Sequence, residues 1–103
     1  MTRAAPFFNF ETDSLGTLRL HGTISFANAA QAWAAPPQAP AGGTALNLDL
    51  AALEGADSAT LAVLIAWSAR ASRRGAALRY LRAPPGLRNL ARLCDVEGLL
   101  GLE

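Results

Sequence analysis

Few side chains in this 103-residue sequence are equipped for chemistry, and two of them adjoin. Asp57-Ser58 is a polar step in the otherwise apolar run GADSATLAVLIAW (residues 55–67). A serine acts as a nucleophile when a base takes its proton and an oxyanion site receives the developing charge. The one histidine, His21, has no neighbouring carboxylate or cysteine in the sequence, and no Gly-x-Ser-x-Gly elbow surrounds Ser58. His21 therefore reads as structural. Cys94 is the single cysteine, which excludes an intramolecular disulfide and argues against zinc; it reads as a small core residue. There is no lysine, and the glycines at 42–43 precede a strand, so no phosphate cradle is formed. These residues describe a protein without catalytic machinery of its own, needing no cofactor and no metal.

What remains for the Asp57-Ser58 step is position. A helix start leaves several N–H groups unpaired and locally positive, and an aspartate there is a good N-cap. Ser58, at the first helical position, is not required by that cap and presents its hydroxyl to solvent. It can dock another protein or receive a phosphoryl group from a kinase, and a phosphate beside Asp57 would disrupt a packed interface. A plain capping doublet with no further role is the competing reading.

The elements that must position this step follow from periodicity. FFNFET (7–12) is aromatic and β-prone. TLRLHGTI (17–24) alternates Leu18 and Leu20 with polar residues, and the turn-like DSLG (13–16) between them makes a hairpin. From Ser25, placed as a cap, the period lengthens: Phe26, Ala29, Ala30 and Trp33 form the inner stripe of a short helix. PPQAPAGG (36–43) breaks it into a loop. TALNLDL (44–50) is a strand with Leu46, Leu48 and Leu50 on one face.

A long helix over 58–74 then turns Leu61, Leu64, Ile65 and Ser68 inward, and Gly75 stops it. AALRYL (76–81) is a further strand. Pro84-Pro85 opens a helix with Leu87, Leu90 and Cys94 inward and Arg88 and Arg92 outward. GLLGL (98–102) is too short to assign. The order argues one α/β domain over residues 1–103, a mixed sheet packed with three to four helices.

Composition agrees with a folded soluble domain: 51% of residues are hydrophobic and mean hydropathy is positive. No apolar stretch approaches a membrane span, and the N-terminus lacks the apolar core of a signal peptide, so a cytoplasmic location is expected. All nine basic residues are arginine. Seven lie from Arg70 onward against three acids, a local net charge of about +4. Such a half can meet nucleic acid, acidic protein surfaces or anionic lipid, or simply keep helix faces solvated. Aromatic residues are not interleaved with the arginines, which argues against nucleic acid.

The stretch LNLDLAALEGADSATLAVLIAWSARASRRGAALRYLRAPPGLRNLARLCDVEGLLGL resembles the STAS domain family (sulphate transporter and anti-sigma-factor antagonist). The pattern is a strand ending in Asp-Leu, then Asp-Ser or Asp-Thr opening an apolar helix, then a Gly-led strand and a final helix. With LRLHGTI as the second strand, the likeness covers residues 15–102. This chain carries Thr60 where the family usually has glycine, and Ala56 where it usually has a β-branched residue.

The resemblance implies a STAS-like fold and a docking turn centred on Asp57 and Ser58, with Ala59 and Thr60 beside them. In anti-sigma-factor antagonists, the position of Ser58 is the one phosphorylated. The chain is most similar to the small stand-alone STAS subunits of the lipid-asymmetry (Mla) ABC transporter. These bind the cytoplasmic ATPase subunit and support phospholipid traffic that maintains outer-membrane lipid asymmetry. The implied partner is therefore that ATPase, or alternatively an anti-sigma kinase. Membrane contact comes only through the transporter complex, peripherally at the inner membrane.

Helical spacing also sets Thr60, Val63, Trp67 and Arg74 along one flank of the long helix. A partly exposed tryptophan beside valine and arginine has the composition of an interface anchor. The same position suits Trp67 tucked into the core, and its exposure decides between the two.

Overall fold

The computed structural model describes residues 7–14, 17–38 and 45–102. Strands β1 (Phe8–Thr12) and β2 (Leu18–Gly22) precede helix α1 (Ala29–Ala34) and strand β3 (Ala45–Asp49). Helix α2 (Ser58–Arg73), strand β4 (Ala77–Leu81), helix α3 (Pro85–Leu93) and the single turn α4 (Glu97–Leu100) complete the order. The sheet runs β1-β2-β3-β4, with β1 antiparallel to β2 and the other pairs parallel. The mixed α/β architecture read from periodicity is thus the observed one. The tip of the hairpin at 15–16 and the loop at 39–44 lie outside the described residues.

Strand alternation decides how the layers stack. Phe8, Phe10, Leu18, Leu20, Leu46, Leu48, Leu78 and Tyr80 fall on one face and join the core. Asn9, Glu11, Arg19, His21, Asn47 and Arg79 alternate with them on the other. The core face is covered by α2, which packs on β4 and carries α1, α3 and α4 along its flanks. Tyr80 locks strand to helix by donating its hydroxyl to the Leu64 carbonyl at 2.6 Å, and burial raises its pKa.

Gly22 closes the hairpin against the following turn. Its φ is +96°, and a Cβ there would stand 2.2 Å from the Phe7 carbonyl oxygen, so only glycine fits. Gly75, at φ +78°, ends α2 as its place in the sequence implies.

Two expectations are corrected. Cys94 is exposed at the C-cap of α3, and Ala91, fully buried, takes the inward position instead. The stripe Phe26–Ala29–Ala30–Trp33 does share a face, and Ala29 packs against the core, but Phe26, Ala30 and Trp33 point outward, Phe26 being 75% and Trp33 54% exposed. The helix starts later than Ser25 because Asn28 organises the turn before it. Its side chain accepts from Ser25 N–H and donates to the Thr23 carbonyl, each at 2.8 Å. The Ser25 hydroxyl accepts from Ala27 N–H and its carbonyl from Asn28 N–H. Starting at Ala29 rotates Ala32 into the core.

Candidate functional site

The mouth of α2 is built by a reciprocal cap. Asp57 accepts from Thr60 N–H at 3.1 Å, and Thr60 Oγ1 accepts from Asp57 N–H at 3.0 Å. Thr60 Oγ1 also donates to the Ile24 carbonyl at 2.5 Å, tying the first turn of the helix to the segment after β2. Thr60 is completely buried. The Thr60 hydroxyl is spent inside the fold and obstructs nothing outside it.

Ser58 is exposed at the first helical position, and its hydroxyl has no hydrogen-bond partner among the described residues. It stands at the end of an apolar groove of about 510 Å³. Phe26, Ala29, Ala30 and Trp33 form one wall; Ser58, Ala59, Ala62 and Val63 form the other. Ala59 and Val63 are nearly buried and serve as floor, whereas Ala62 is exposed.

The walls are held together from α2. Trp67 Nε1 donates to the Ala32 carbonyl at 2.9 Å. Arg70 donates to the Trp33 carbonyl while its guanidinium lies 4.8 Å from the centroid of the Trp33 ring. Two donors one helical turn apart on α2 therefore satisfy the last carbonyls of α1.

Of the residues the sequence put at the interface, Asp57 and Ser58 meet solvent, and Ala59 and Val63 underlie the groove. Thr60 and Trp67 do not lie on the surface. Trp67 is 1% exposed, with the Phe10 and Phe8 rings at 5.5 and 6.4 Å, so the core reading holds and the exposed-anchor reading is overturned. The hydrophobic cost of leaving an indole in water outweighs what that flank position offers. The exposed tryptophan is Trp33 on α1, whose stripe the sequence displayed without revealing which way it faced.

The structure does not bring His21 to Ser58. It lies on the sheet face away from α2, with Nε2 3.0 Å from Glu11 Oε2 but without completing a hydrogen bond. No three His, Cys, Asp or Glu side chains converge as a metal site among the described residues.

In the sequence Asp49 figured only as the aspartate of the Asp-Leu strand ending, with no role given to it. It is 2% exposed at the end of β3, accepts from Ala51 N–H at 2.9 Å, and is bound by Arg82, with Arg19 Nε at 3.6 Å. Burial alone would raise its pKa. Hydrogen bonds from Arg82 and Ala51, with the charges of Arg82 and Arg19, outweigh that and hold the carboxyl below its ordinary value. Arg82 reaches it from a left-handed backbone conformation, φ +54°. An aspartate closing a leucine-rich strand was the available signal.

The chain belongs to the STAS domain family. The family model that matches it, described as Mlab, STAS domain, covers residues 10–101. None of the curated proteins compared with the chain matches it.

Proposed function

We propose that this chain is a non-catalytic STAS subunit that binds the cytoplasmic ATPase of an ABC transporter for phospholipid trafficking, supporting the assembly or activity of that complex. The observation that carries this reading is the apolar groove beside the exposed Ser58, flanked by the exposed Phe26 and Trp33. Aromatic side chains around a concave apolar floor are the parts of a docking surface, not of a reaction centre. Description of the matching family model as an Mlab domain supports the same partner class. Linkage makes the effect mutual: whichever ATPase state the subunit promotes also holds the subunit more tightly.

The second reading is an anti-sigma-factor antagonist switched by phosphorylation of Ser58. Exposure of that hydroxyl at a helix start, within reach of a kinase, favours it.

Affinity purification with mass spectrometry separates the two. Recovery of an ABC ATPase supports the transporter role; recovery of a sigma-pathway kinase without the ATPase overturns it. Ser58→Asp should abolish partner binding in either case. Ser58→Ala creates a permanently active antagonist under the second reading, and under the first it loses part of the binding without regulatory gain. Trp33→Ala should weaken ATPase binding by about 2 kcal/mol, roughly 30-fold, in a titration calorimeter.

A further inference from the structure

We propose that the open edge of β4, with the arginine-lined groove beside it, receives an extended acidic segment of another protein and adds it to the sheet as a fifth strand. This goes beyond the Ser58 groove and shares no lining residue with it.

Three features converge there. β4 is the last strand of the sheet and is paired only with β3, so the backbone groups along its outer side have no protein partner among the described residues. A groove of about 600 Å³ runs along this edge, formed by residues 78–83, Arg88 of α3 and residues 100–102. Its floor is apolar, with Tyr80, Leu100 and Leu102 buried. Its walls hold three arginines and no carboxylate. Arg82 is committed to Asp49, whereas the side chains of Arg79 and Arg88 make no ion pair or hydrogen bond among the described residues.

Backbone donors and acceptors in a row, an apolar floor and unspent positive charge specify the occupant. It must be extended, to continue the ladder over the roughly 16 Å that a five-residue strand provides. It must also alternate apolar with acidic side chains. A second copy of this chain does not meet these terms, because joining two β4 edges would set arginines against arginines. Nor does a lipid surface, since hydrocarbon cannot satisfy the edge N–H and C=O groups.

The test titrates the full chain against a fluorescein-labelled, end-blocked peptide alternating valine with glutamate, read by fluorescence anisotropy. Binding should weaken about ten-fold or more when lysine replaces glutamate, and likewise when alternate peptide nitrogens are methylated. The Arg79→Glu/Arg88→Glu variant should lose a similar factor, while Ser58→Asp leaves binding unchanged. Slowed amide exchange along β4 should accompany the complex. Failure of the parent peptide to bind overturns the proposal, as does equal binding of the methylated peptide, which would show charge attraction without strand addition. Because the methylated peptide is tested on the unaltered chain, the outcome does not depend on the variant folding. Loss of binding with Ser58→Asp would place the peptide in the other groove and equally overturn it.

Discussion

Thr60 uses one side-chain oxygen to close the cap on Asp57 and to reach the Ile24 carbonyl across the fold. Thr60→Val keeps the shape and removes the hydroxyl, leaving a buried carbonyl and the Asp57 N–H unpaired. The expected loss is about 2 kcal/mol, measured as a lower urea midpoint with unchanged slope. Asp57 as a cap was legible in the sequence because capping is decided within four residues. The second role of Thr60 was not, because its acceptor lies 36 positions away. The role of Asp49 was missed for the same reason: what makes a buried carboxylate tolerable is Arg82, on the far side of α2 in the chain.

α1 and α2 each carry one tryptophan, and the two differ in environment. Trp67 is sealed beneath the aromatic rings of β1, and Trp33 overhangs the groove. Trp67→Phe should leave an emission spectrum that is red-shifted and strongly quenched by acrylamide, whereas Trp33→Phe should leave a blue-shifted, protected one. An occupant of the groove should protect Trp33 and not Trp67. Trp67→Ala should cost about 3–5 kcal/mol and loosen α1, which hangs from that indole.

At this scale the sequence carried much of the answer. Strand alternation and helical spacing placed the four strands and the three longer helices, because both periodicities are imposed by burial, while α4 fell in a stretch too short to assign. Direction was the weak point: Phe26, Ala29, Ala30 and Trp33 have helical spacing whether they face in or out. Only the Asn28 turn, which sets where the helix begins, decides it. Cys94 erred similarly, since α3 ends at Leu93 and the cysteine falls on the cap.

In the whole molecule, helices cover one side of the sheet and leave the other polar, so charge on that side bears on stability directly. Asp49 is its buried member. With its folded pKa below the unfolded value of about 4, it contributes stability that is complete above that value. The contribution is lost as pH falls through the lower, native pKa. Acid titration of the native chain should therefore show stability declining below about pH 4, whereas Asp49→Asn should be less stable by about 2 kcal/mol at neutral pH and flatter in acid. Equal pH profiles would assign the decline to other carboxylates. No helix among the described residues is long and apolar enough to cross a membrane. Because the helices stack on one side of the sheet and the outer edge of β4 pairs with no other strand, the two proposed docking sites are separate berths. A domain with a valency of two can join a pair of larger bodies without altering its own shape. Each tether then raises the local concentration of the other.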